Sequence, residues 1–277
     1  MRTDRPTTVP ALPGVINYLS DDVVGDVRRE SDTSGEGGSY AAYALQMYDA
    51  RAVHRPFSVE QNGFELVHWP SAVRDFADPD EIDRVYTREV EEFVAARLGA
   101  AHVALLGACL EDAAEMEKGG AHDLPVAHVE LTAEDALEQA RRVFAVRFPS
   151  EAGFRRAVTT VCWRPITPAP QDWPLALCDY RSVPDADGVP GRAGKTVWVD
   201  PGDVDAASAR DTRFRFRSTH RWWVYPDMTP DEVLFFVVHD SDHSRPWRVM
   251  RTTFLDAQAQ PAVSRQSLEF RSIAYFR

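Results

Sequence analysis

Lysine is almost missing from this 277-residue chain, which has only Lys118 and Lys195. Its other basic residues are arginines, and 43 acids outnumber the 31 bases to give a net charge of -12. A surface of that sign repels a phosphate backbone, which argues against a nucleic-acid partner. Cysteine is scarce as well. Cys109, Cys162 and Cys178 lack metal-binding spacing and sit in apolar runs, so they read as buried free thiols in a reducing compartment. No apolar run approaches the roughly 20 residues of a membrane span, so no membrane partner is expected. Residues 1–6 have none of the apolar core of a secretory signal, and a cytoplasmic location is expected. Repeats and interdomain linkers are absent too, which predicts a single domain over 1–277 with residues 1–14 as a poorly ordered lead-in.

What is present is ordinary for a soluble globular protein: 44% hydrophobic and 27% charged residues, in a chain long enough for one large core. Residues 15–19 and 47–54 read as strands, and 31–39, with three glycines, as a loop. Asn62-Gly63 between two apolar runs predicts a hairpin. Asp78-Pro79 starts a helix whose apolar residues recur at helical spacing until Gly99 stops it. A strand at 101–108, a polar loop at 111–123 and a helix from the Thr132/Asp135 cap to about Val146 follow. The remainder reads as β: strands at 158–163, 175–180, around 213–217 and 222–225, 233–238, 252–254 and 268–276, with 184–194 as a loop. Helices early and strands late predict an α+β domain on a sandwich-like or barrel-like core.

Residues 124–132 hold the sequence's one His-x-carboxylate triplet, His128-Val129-Glu130. On an extended strand, residues i and i+2 share a face and can offer two neighbouring ligands to one metal ion. In a chain with eight His and 43 acids, such a triplet is also expected about once by chance. Its weight therefore depends on its surroundings.

Those surroundings are Trp163-Arg164-Pro165 with Pro174 to Asp179, His220 to Trp223 with Thr229 to Leu234 and Asp240-Ser241, and Arg265 to Arg271. In this order and spacing they resemble the gibberellin-desaturase and cephamycin-hydroxylase-like group of secondary-metabolism enzymes, over most of the chain. The resemblance implies a double-stranded β-helix (jelly-roll) fold and a tailoring enzyme that hydroxylates or desaturates a small natural product with Fe(II) and 2-oxoglutarate. It implies that His128 and Glu130 are metal ligands, with Glu130 where the family has Asp. It makes Arg265 and Ser267 the pair that grips the far carboxylate of 2-oxoglutarate, which suits a guanidinium and a hydroxyl. Trp163, Asp179, Trp222 and His239 become candidate substrate-pocket residues.

One segment departs from the family. Its second metal-binding His lies in a His-x-Ser/Thr-Phe pattern, and here the segment reads Met250-Arg251-Thr252-Thr253-Phe254. Arg251 holds the His position, and a guanidinium cannot ligate Fe(II). Three readings stand. His220, His239 or His243 supplies the missing ligand, or iron rests on two protein ligands plus 2-oxoglutarate and water. Alternatively, Arg251 pairs with Glu130 in place of the metal, and His128 carries protons in a non-oxidative isomerisation, cyclisation or elimination. In the third reading, the protein only binds a natural product, with Trp163, Trp222 and Trp223 lining an apolar site.

Overall fold

The computed structural model describes residues 9–21, 40–114, 126–192, 210–259 and 263–277. The expected loop at 31–39, most of the one at 111–123 and most of the expected lead-in lie outside the described residues.

The chain opens with β1 (Ala11–Leu19) and β2 (Tyr40–Asp49), paired antiparallel along their whole length. β1 thus begins inside the stretch expected to be a lead-in, and β2 ends where its strand was expected to begin. The predicted hairpin at Asn62-Gly63 is instead a single helical turn, α1 (Val59–Asn62). Gly63 ends it in the left-handed region at φ 87° and leads into β3 (Phe64–His68). A left-handed glycine serves a helix end as well as a hairpin, and the dipeptide alone cannot separate the two.

The Asp78 helix forms as predicted. Asp78 accepts from the backbone of Asp80 and Glu81 at the start of α2 (Pro79–Glu81). A π-helical turn (Ile82–Tyr86) continues it into α3 (Thr87–Leu98), closed by left-handed Gly99. β4 (His102–Asp112) is longer than its predicted strand. β5 is short, just His128–Val129, with Glu130 beyond its end. Thr132 caps α4 (Ala133–Arg147) by accepting from the Asp135 amide.

The later strands are β6 (Arg156–Pro165), β7 (Leu175–Cys178), β8 (Gly188–Arg192), β9 (Arg210–Phe214), β10 (Trp222–Val224), β11 (Glu232–Asp240), β12 (Arg251–Thr253) and β13 (Gln266–Phe276). β8 lies inside the segment expected to be a loop and pairs with β9 in full register.

Two sheets result. One has eight strands in the order β1-β2-β10-β7-β12-β5-β9-β8, and the other five in the order β3-β11-β6-β13-β4. Parallel bridges from Asn17 to Val126 and from Leu19 to Arg215 bring β1 back against the β5 and β9 region, so the larger sheet curls on itself. This is the jelly-roll architecture expected from the resemblance. No described helix is long and apolar enough to cross a membrane.

Burial explains the composition of the strands. On β11, Leu234, Phe236 and Val238 join one apolar cluster while Val233, Phe235 and Val237 join another beneath α3. Both faces are covered, hence the unbroken apolar run. On β13, Leu268, Phe270 and Ala274 face the cluster under α3. The two-residue period places Ser267, Glu269 and Arg271 on the opposite face. Glu269 lies in register with Trp163 and Arg271 with Val161, both members of the first cluster. The fold thus carries a charged row into its own core.

Candidate functional site

The site is built where β12 crosses between β5 and β7. Arg251 is in register with His128 on one side and Leu177 on the other. The imidazole of His128 is part-buried, and its Nδ1 lies 2.7 Å from the carbonyl oxygen of Val126. A carbonyl only accepts, so Nδ1 carries the proton and Nε2 is left as an acceptor. Burial pushes the His128 pKa down to about 3, and the nearby Arg251 cation works in the same direction. The ring is neutral at physiological pH.

Glu130 and Arg251 meet directly. Arg251 donates through Nε to Glu130 Oε1, and its Nη2 forms an ion pair with the same oxygen. Nη2 also lies 2.8 Å from Glu269 Oε2, an ion-pair contact too oblique for a hydrogen bond. Arg271 completes the group, with Nε donating to Glu269 Oε1 at 2.7 Å and Nη2 3.4 Å from Glu130 Oε1. All four residues are buried, with Glu269 1% and Arg251 7% exposed. Two acids and two guanidinium groups sum to zero, which is how charges persist in a core. Burial alone would raise the pKa of Glu130, but Arg251 and then Arg271 overrule it and hold the carboxyl below the usual range. For Arg251, burial opposes the charge, and Glu130 with Glu269 overrules it and raises the pKa. Glu130 Oε2 is buried without a hydrogen-bond partner among the described residues.

Arg265 and Ser267 stand at the start of β13. Arg265 is fully buried, and its Nη1 donates to Ser267 Oγ. Glu111 on β4, in register with Ser267, reaches both, with Oε2 3.3 Å from Arg265 Nη1 and 3.4 Å from Ser267 Oγ. The Arg265 guanidinium also lies over the Trp163 ring, 5.7 Å from its centroid.

The structure therefore brings together His128, Glu130 and Arg251, and it places Arg265, Ser267 and Trp163 on the facing sheet, at β13 and β6. The other candidates have separate partners. Asp179 is tied to Asn62 at 3.1 Å and to Arg181 at 2.6 Å. Trp222 donates to Tyr18 Oη at 2.7 Å. His239 faces His243, with Nε2 atoms 3.5 Å apart, and Trp247 stacks on the His243 ring. His220 lies between Tyr18 and Asp187 at 3.1 and 3.3 Å. Among the described residues no group of three His, Cys, Asp or Glu side chains could hold a metal ion. His128 and Glu130 thus gain no third donor from another described His. The described residues do not fit an iron centre with three protein donors.

Glu269, Arg271 and Glu111 escaped the sequence reading. The first two were within sight, since Ser267-Leu268-Glu269-Phe270-Arg271 alternates polar and apolar residues at strand period, with Arg265 two positions before it. Four polar positions on one face of a buried strand call for partners.

Comparison with known proteins places this geometry. The chain is 23% identical to "Hydroxylase/desaturase efuI" of Hormonema carpetanum, over 96% of each chain. It is 24% identical to "Alpha-ketoglutarate-dependent dioxygenase phiK" of a fungal species, over 98% of this chain and all of the other. A shorter match, 26% identical over 51% of this chain and 41% of the other, is to the "Gibberellin cluster GA4 desaturase" of Gibberella fujikuroi. Among solved structures, the "iron and alpha-ketoglutarate-dependent endoperoxidase NvfI" superposes with a TM-score of 0.77 at 20% identity, covering 96% of this chain and 98% of its own. That likeness establishes the shared fold. Residues 16–275 match the family described as the oxidoreductase/YMDC permease-like domain, and the chain belongs to that family.

Proposed function

We propose that this protein is a cytoplasmic, single-domain tailoring enzyme that oxidises a small organic molecule of secondary metabolism by hydroxylation or desaturation. The relatives named hydroxylase/desaturase and alpha-ketoglutarate-dependent dioxygenase support that reaction class and 2-oxoglutarate as cofactor, and the fold shared with the iron and alpha-ketoglutarate-dependent endoperoxidase is consistent with Fe(II) beside it. The observation in this chain that carries the reading is the Arg265–Ser267 pair. It is a buried guanidinium and a hydroxyl side by side at the start of β13, already engaging one carboxylate, that of Glu111. That chemistry suits the far carboxylate of 2-oxoglutarate. Toward iron the described residues offer two donors, His128 and Glu130. The protein's own residues supply a neutral acceptor at His128 Nε2, a positive anchor for a carboxylate at Arg265, and apolar walls from the surrounding core.

A second reading is favoured by the contact between Arg251 and Glu130. The site would then work without a metal, with His128 Nε2 accepting a proton in an isomerisation, cyclisation or elimination. One experiment separates the two. Purified protein under anaerobic conditions receives Fe(II) and 2-oxoglutarate, and the visible spectrum is followed. A weak charge-transfer band and chelator-sensitive conversion of a candidate substrate support the oxidative reading. Conversion that persists in chelator, without a band, supports the second. Tight substrate binding with no conversion under either condition leaves a binding protein and overturns both.

A further inference from the structure

We infer that Arg251 is the resident cation of this site and competes with any divalent metal for Glu130. The inference goes beyond both readings above and takes from the oxidative one only its assignment of His128 and Glu130 as the metal-facing pair. Four observations carry it. Arg251 is the register partner of His128, so its guanidinium starts from the strand position beside the imidazole. Nε and Nη2 both address Glu130 Oε1, the carboxylate a metal on His128 would share. The same Nη2 is also paired with Glu269, which Arg271 holds in turn. Finally, the Arg251 guanidinium lies 5.7 Å from the centre of the Phe236 ring in the apolar cluster, a position with little bulk water to screen a second cation.

The charge balance gives the consequence. Glu130, Glu269, Arg251 and Arg271 are neutral as a set. A divalent ion added at His128 and Glu130 would leave two uncompensated positive charges in the core and place them beside a guanidinium. It would also have to take Glu130 from Arg251. Replacing Arg251 by His reverses each of these effects. It removes the competing cation, leaves the set with one net negative charge, and supplies an imidazole on the strand next to His128. Glu130 Oε2, buried without a partner among the described residues, is then open to a metal together with Oε1.

The test is metal binding alone, with Co(II) as the probe, followed by calorimetry and by the ligand-field bands of the bound ion. Wild type, His128→Ala, Arg251→His, Arg251→Gln and the double variant Arg251→His/His128→Ala are compared. The expected result is that Arg251→His binds one Co(II) at least about tenfold more tightly than wild type, at or above the low end of what changes around a metal's ligands produce. The double variant should lose that gain. Arg251→Gln removes the cation without adding a donor and should also bind more tightly than wild type, which keeps the test open if the His variant does not fold. Equal affinity in wild type and variants overturns the inference, and so does tight wild-type binding that His128→Ala abolishes. Failure of all the proteins to bind Co(II) overturns it too, because Arg251 would then not be what excludes the metal. None of these readouts uses turnover, so the oxidative reading stands or falls separately on its own experiment.

Discussion

Arg251 and Glu130 lie 121 residues apart in sequence and meet through Nε and Nη2 on a single carboxylate oxygen. Breaking one side of such a contact is costlier than the contact is stabilising, because the surviving charge stays buried. Glu130→Gln leaves Arg251 and Arg271 facing Glu269 alone, and should destabilise the fold by about 3 kcal/mol. Adding Arg251→Gln removes the surplus cation, leaves the Glu269–Arg271 pair intact, and should recover more than half of that loss. Urea unfolding of the two variants checks this. A double variant no more stable than Glu130→Gln would show that the four charges do not act as a set.

Gly63 gives a second prediction, on the fold alone. Its φ of 87° disfavours any side chain, and a Cβ there would come within 2.5 Å of Val249 Cγ2. Gly63→Ala should therefore cost more than the left-handed strain of about 1–2 kcal/mol. Shortening the neighbour relieves only the clash. Gly63→Ala/Val249→Ala should consequently unfold at a urea concentration above that of Gly63→Ala after correction for the Val249→Ala cavity. If Gly63→Ala matches wild type in urea, the close approach to Val249 is not rigid.

Much of this architecture was legible in the sequence, and the exceptions have physical causes. Asp78-Pro79 and Thr132/Asp135 revealed their helices because a cap is a local device, satisfied by residues two or three positions away. β11 was visible because a strand covered on both faces needs an unbroken apolar run. β8 was hidden, since Gly188-Val189-Pro190-Gly191-Arg192 has turn composition and is held as a strand by its partner β9. The same division runs through the site. The His128-x-Glu130 spacing was visible in the sequence itself, whereas Arg265 and Ser267 were named only through the resemblance. The contact of Arg251 with Glu130 was expected only because a resemblance aligned two distant segments. Its continuation through Glu269 to Arg271 depends on how the two sheets face one another, which no local pattern records.

Acid stability should reflect the buried histidines away from the charged set. Burial first, and the neighbouring His243 second, push the pKa of His239 down to about 4 from 6.5. Its lowered folded pKa means that the unfolded chain takes up the proton first. Between pH 6.5 and about 4 the stability therefore falls as pH falls, and above 6.5 this contribution is constant. His220, also lowered by burial, has the same sign. His239→Gln removes one of these protons, so its urea midpoint should drop less than that of wild type between pH 7 and pH 5. Parallel drops in the two proteins would mean that His239 is as accessible to protons folded as unfolded.

The carboxylate anchor gives the last prediction, with opposite signs at two neighbouring residues. Glu111 Oε2 lies within 3.4 Å of both Arg265 Nη1 and Ser267 Oγ, the two groups assigned to the far carboxylate of 2-oxoglutarate. An incoming carboxylate must therefore displace the Glu111 side chain, which is 27% exposed and can swing outward. Glu111→Gln keeps the size and removes the competing charge, so 2-oxoglutarate should bind several-fold more tightly. A partly exposed ion pair of this kind is worth only about 1 kcal/mol or less, which limits the gain to about fivefold. Arg265→Lys keeps the charge and loses the planar fork, so binding should weaken by about tenfold or more. Calorimetric titration of 2-oxoglutarate into the three proteins reads both effects. Weaker binding in Glu111→Gln would make Glu111 part of the anchor instead of its competitor. Unchanged binding in Arg265→Lys would place the 2-oxoglutarate carboxylate elsewhere and leave Arg265–Glu111 as a structural ion pair between β4 and β13.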